Sequence, residues 1–79
     1  MIKRRIGPHP HANGAKTPAL QGCPDMFELE SGDFAIIGID ITDRARAHLP
    51  HDAGCGPDER IVCVPRRILL GAKDHIPTQ

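Results

Sequence analysis

Tryptophan and tyrosine are absent from this 79-residue chain, and Phe27 and Phe34 are its only aromatic residues. The rings that carry most of the buried area in small cores are therefore nearly missing. Long apolar runs are missing too, and nothing approaches the ~20 residues of a membrane-spanning helix. Ser31 is the only serine, and it sits in a Ser-Gly-Asp turn cluster, where local hydrogen bonding is its expected role. No Gly-rich loop leads into a helix to cradle a phosphate. Three cysteines, an odd number, argue against a disulfide framework. The first residues carry positive charge but no apolar stretch after it, so they do not read as a signal peptide, and the expected location is cytoplasmic.

The net charge of zero conceals a division. Residues 1–22 hold Lys3, Arg4, Arg5 and Lys16 and no acid, whereas the remaining six Lys/Arg face all ten Asp/Glu. Pro8, Pro10, Pro18, Gly7, Gly14 and Gly22 punctuate the first stretch, which has no apolar periodicity. Residues 1–22 are accordingly expected to be a flexible basic arm, and residues 23–79 a small α+β domain. A domain this short buries only about 60% of its unfolded surface. Its core supplies no more than ~3–5 kcal/mol without a disulfide, a metal or a partner surface.

Met26-Phe27-Glu28-Leu29-Glu30, then Ser31-Gly32-Asp33, then the apolar run from Phe34 to Ile41 predict an antiparallel hairpin. Alternation puts Ala35, Ile37, Ile39 and Ile41 on one wholly apolar face, expected to meet the core. Gly38 predicts a bulge or a close backbone approach. Thr42 is the expected N-cap of a short helix over 43–49, stopped by Pro50. Arg60–Val64 reads as a strand, and Pro65 starts a helix running to about Asp74, with Ile68, Leu69 and Ala72 as its apolar stripe. Gly71 weakens that helix by ~1 kcal/mol relative to Ala, which a close packing contact explains. The order is ββαβα, an antiparallel or mixed sheet with two short helices.

The sharpest ligand-type constellation is His48, His51, Cys55 and Cys63. Zinc takes four His/Cys ligands, and a structural zinc would also stabilise so small a core. Cys63 lies between two valines, where a cysteine commonly serves as a small buried hydrophobe. A Cys23–Cys55 bridge is a further option. Glu28 and Glu30 flank Leu29 and read as a solvated edge, not as an acid/base pair. Arg44, Arg46, Arg60, Arg66 and Arg67 can bind phosphate, the chain's own acids, or an acidic partner.

The body from Glu28 to Gly38, with Leu49-Pro50, Cys55–Val62 and Val64-Pro65-Arg66, resembles a group of small uncharacterised actinobacterial proteins, some accompanying helix-turn-helix regulators. That resemblance implies no activity or catalytic residue. The stretch Arg60–Leu69 also resembles the strand-Pro-helix motif of swapped-hairpin DNA-binding regulators related to AbrB. In that family a Gly-Asp turn and strand follow the helix, whereas Gly32-Asp33 precedes it here.

The reading is a non-enzymatic protein-interaction or regulatory module, acting through a homodimer or a partner protein. Phe34, Ile36, Ile68, Leu69, Arg66 and Arg67 are its expected contact residues, with no cofactor and no membrane. The alternatives are a DNA-associated regulator using the arm with Arg60, Arg66 and Arg67, and a zinc-stabilised module.

Overall fold

The turn at Ser31-Gly32-Asp33 sets the register of the whole sheet. In the computed structural model, which describes residues 1–7 and 23–78, Gly32 has φ +95° and donates its N–H to Leu29 O at 3.0 Å. Leu29 N–H in turn donates to Asp33 O at 2.8 Å. The hairpin so closed joins β2 (Asp25–Leu29) to β3 (Phe34–Ile37), with Phe27 opposite Ala35 and Met26 opposite Ile36.

β1 (Ile2–Arg5) adds antiparallel to the other edge of β2, giving the order β1-β2-β3. This corrects the expectation of a flexible arm for residues 2–5; residues 8–22, the rest of that arm, lie outside the described residues. The cations that suggested a solvated tail are here the means of docking. Arg4 Nε donates to Glu28 Oε1 at 2.8 Å. Arg5 reaches Asp25 from the opposite face of the sheet, with Nη2 to Oδ2 at 3.0 Å, and lies 5.5 Å from the Phe27 ring centroid. Ile6 N–H continues the ladder to Met26 O, and the Ile6 side chain is buried.

At Gly38 the chain changes partner. β4 (Ile39–Asp40) leaves the three-stranded sheet and pairs antiparallel with β5 (Val62–Cys63), Ile39 opposite Cys63. A Cβ built on Gly38 would fall 2.6 Å from Cys63 O and 2.8 Å from Val64 Cγ1. The close approach expected there is real, and it breaks one apolar run into two strands.

Two short helices follow the strands. α1 (Thr42–Ala45) passes into a 3-10 turn at Arg46–His48, and α2 (Arg66–Ala72) into another at Lys73–His75. The fold is α+β as expected, with β1 and the break at Gly38 added to the ββαβα order. No helix among the described residues is long and apolar enough to cross a membrane.

The core is Ile6, Met26 and Ala72, with Ile68 packed against it. α2 therefore covers the face of the sheet that bears Met26 and its partner Ile36. The expectation that Ala35, Ile37, Ile39 and Ile41 meet the core is overturned, since Ile37 and Ile39 are exposed. Alternation identified two faces but could not say which one α2 would cover.

Thr42 is buried, and it is the first residue of α1 where an N-cap was expected; Ile41 holds the cap position. The capping oxygen comes from Asp40, whose Oδ1 accepts the Thr42 N–H at 2.9 Å and the Thr42 hydroxyl at 2.6 Å. Thr42 Oγ1 also accepts the Ile61 N–H at 2.8 Å, tying α1 to the strand pair β4–β5. Thr42→Val should strand the Ile61 N–H and lower stability by roughly 1–3 kcal/mol, measurable in a denaturant melt. A variant as stable as the parent would mean this hydroxyl does not hold the pair together.

Candidate interaction surface

Among the described residues three hydrophobic side chains are buried, while ten large ones are exposed: Met1, Ile2, Phe34, Ile36, Ile37, Ile39, Val62, Leu69, Leu70 and Ile76. Contiguous exposed apolar residues, as distinct from scattered single ones, make a candidate contact surface. The exposed set is not spread at random. Four of its members, Phe34, Ile36, Ile37 and Ile39, lie in sequence along β3 and β4.

Where the chain turns at Gly38, a groove of about 410 Å³ opens, lined by Pro24, Ile37, Ile39, Cys63, Pro65 and Arg67. Its walls are almost entirely apolar. The groove exists because β3 ends on one sheet and β4 begins on another, leaving Ile37 and Ile39 without a covering layer. Sequence reasoning assigned these two residues to the core and so missed them as surface. The signal that could have found them was Gly38 itself, a break in the middle of an otherwise uninterrupted apolar run.

The expected contact residues divide. Phe34 and Ile36 are exposed on β3, and Leu69 is exposed on α2. Ile68 is instead half-buried against the core cluster, a correction that follows from its spacing of four from Ala72. Arg66 and Arg67 occupy the first turn of α2 and are exposed.

The ligand set His48, His51, Cys55 and Cys63 is not assembled. Among the described residues no three His, Cys, Asp or Glu side chains are grouped to hold a metal ion. His48 ends the 3-10 turn after α1, and His51 lies exposed in the following turn. The Cys55 thiol donates to Glu59 O at 3.3 Å, closing a loop that Gly56 N–H also pins to Glu59 Oε1 at 2.7 Å. Cys63 is exposed and sits across from Ile39, so the reading of it as a buried hydrophobe is also corrected. Cys23, Cys55 and Cys63 form no disulfide, so the Cys23–Cys55 bridge is not made.

Charges along the sheet are paired internally. Glu28 is buried against Arg4, whereas Glu30 is exposed beside the Met1 amine at 3.2 Å. The pair was expected to share one solvated edge, but Glu28 faces inward under α2. With Arg4 and Arg5 engaged by Glu28 and Asp25, two of the four arm cations are committed to the chain's own acids. Arg60 stands 4.0 Å from Asp40 across open surface, an ion pair worth little by itself.

Among the described residues Asp40 is the one carboxyl held clearly below its ordinary value. The Thr42 hydroxyl contributes most, then the Thr42 backbone N–H, while partial desolvation opposes them and Arg60 adds a smaller attraction. A carboxyl lowered in the folded state contributes stability that is present above its unfolded value near 3.9. That contribution is lost as the pH falls through the lower folded value. In Thr42→Val the Asp40 carboxyl should titrate back toward its ordinary value, which carboxyl-detected NMR would follow residue by residue. No protein-family model matches the chain, and no curated protein or solved structure matches it either.

Proposed function

We propose that this chain is a non-enzymatic protein-interaction or regulatory module that completes its core against a second polypeptide, a homodimer mate or a partner protein. The observation that carries the reading is the imbalance, among the described residues, between three buried hydrophobic residues and ten large exposed ones. A core of Ile6, Met26 and Ala72 falls well short of what stabilises a domain of this length by itself. Phe34, Ile36, Ile37, Ile39 and Leu69 supply the apolar area, and Arg66 and Arg67 offer charge beside it for orienting an acidic partner.

The nucleic-acid reading gains no support from the pairing of Arg4 and Arg5 with carboxylates.

Association that completes a core makes the melting temperature depend on protein concentration. Thermal melts from micromolar to submillimolar chain, run alongside light scattering, should show the midpoint rising with concentration as the mass doubles. A sharp melt of a monomer, with a midpoint independent of concentration, would overturn the reading.

A further inference from the structure

The two edges of the three-stranded sheet are built differently. β1, Ile-Lys-Arg-Arg, carries three cations and a register irregularity between Ile2 and Arg4. Those are the devices by which natural sheets prevent unwanted strand addition. β3, Phe-Ala-Ile-Ile, has no charge, no proline and no bulge against β2. Among the described residues nothing pairs with its outer side.

The register fixes which main-chain groups that side presents. Leu29 N–H bonds to Asp33 O, so positions 33, 35 and 37 turn their N–H and C=O toward β2. Phe34 and Ile36 turn theirs outward. The bond from Ile6 N–H to Met26 O agrees, because Met26, opposite Ile36, must then face β1.

We propose that β3 pairs antiparallel with β3 of a second copy of this chain about a twofold axis through Ala35. This rests on the interaction-module reading and names its partner and register. In that arrangement Phe34 of each copy exchanges both main-chain hydrogen bonds with Ile36 of the other, and every outward group of the short edge is satisfied. An axis perpendicular to the sheet keeps both α2 helices on one face. Phe34 then packs beside Ile36 of the second copy, an apolar cross-strand pair. Ala35, the smallest side chain in the strand, meets its own copy on the axis. No charged side chain opposes a like one within Phe34–Ile36. Leu69 is exposed on the flank of α2 opposite Gly71, whose carbonyl approaches Gly7, and adds apolar area away from that contact. An edge this short buries less than the ~800 Å² per partner of a standard interface, so the dimer should be weak and concentration-dependent.

Two measurements test the register. In the unaltered chain, amide exchange at Phe34 and Ile36 should slow by at least about tenfold between dilute and concentrated samples, as paired amides become protected. Separately, Ala35→Cys should cross-link to itself on mild oxidation, because facing residues of a non-hydrogen-bonded pair stand ~4.5 Å apart, within disulfide reach. Peptide mass spectrometry distinguishes that bridge from any formed by Cys23, Cys55 or Cys63. Ile37→Cys, which falls opposite Asp33 of the second copy, should not cross-link to itself. Doubled mass without protection of Phe34 and Ile36 would overturn the β3 register and leave the interaction-module reading standing. A monomer with a concentration-independent melt would overturn both.

Discussion

Gly7→Ala is expected to lower the melting temperature by on the order of 10–25 °C, where Gly32→Ala loses only a few degrees. Both glycines have positive φ, +81° and +95°, so both substitutions carry the backbone penalty of about 1 kcal/mol for a side chain in the left-handed region. Their surroundings differ. A Cβ on Gly32 meets nothing within 4 Å, but one on Gly7 would stand 2.7 Å from Gly71 O and 3.2 Å from Ala72 Cα. Those are backbone atoms of α2, which cannot swing aside as the tip of a side chain can. Ala72 is also the most deeply buried residue of the core, and Ile6 is the neighbour of Gly7. Forcing the segment after β1 away from α2 therefore opens the core at its centre, adding ~1–3 kcal/mol of overpacking strain. A total near 2–4 kcal/mol approaches the whole stability expected of so small a domain, and each kcal/mol moves the midpoint by roughly 4–8 °C. If the two alanine variants melted alike, the contact between Gly7 and α2 would not be part of the folded state.

The same contact shows where sequence reasoning reached and where it stopped. The hairpin, its turn, the strand after Arg60 and the helix after Pro65 were all legible, because each depends on residues close together in the chain. Gly38 and Gly71 were legible as places of close approach, but not what approaches them. Gly38 meets Cys63 and Val64, and Gly71 meets Gly7, at separations that no local pattern encodes. β1 was lost for a related reason. Lys3, Arg4 and Arg5 read as a charge run because the partners of Arg4 and Arg5, Glu28 and Asp25, are 24 and 20 positions away. The core face was misassigned because the stretch Phe34–Ile37 is apolar on both sides, so alternation could not choose between them. α2 chose, by laying Ile68 and Ala72 over Met26, and that left Ile37 and Ile39 at the surface. Two of the residues that now define the groove at Gly38 were thus hidden in the sequence as core.

Arg4→Ala should lower stability by about 2–3 kcal/mol. The pair it belongs to is lopsided, with the Glu28 side chain 8% exposed and that of Arg4 46%. Removing one partner of a fully buried ion pair costs about 3–5 kcal/mol, because the remaining charge is left in low dielectric without compensation. Water can partly replace the half-exposed guanidinium, which reduces the figure. Arg4 Nη2 also donates to His75 O at 3.3 Å, so its loss releases the 3-10 turn that follows α2 as well as the carboxylate. Glu28→Gln keeps an oxygen for Arg4 Nε and should lose only about 1 kcal/mol. Replacing both residues at once, Arg4→Met with Glu28→Leu, removes the buried charge altogether and should melt close to the parent. A double-mutant cycle of Arg4→Ala and Glu28→Ala isolates their coupling from the His75 contact. Strong coupling would fix β1 as an integral strand whose cations serve the fold. Additive effects, with Arg4→Ala as stable as the parent, would return residues 2–5 to the status of a solvated arm and free their charge for a partner.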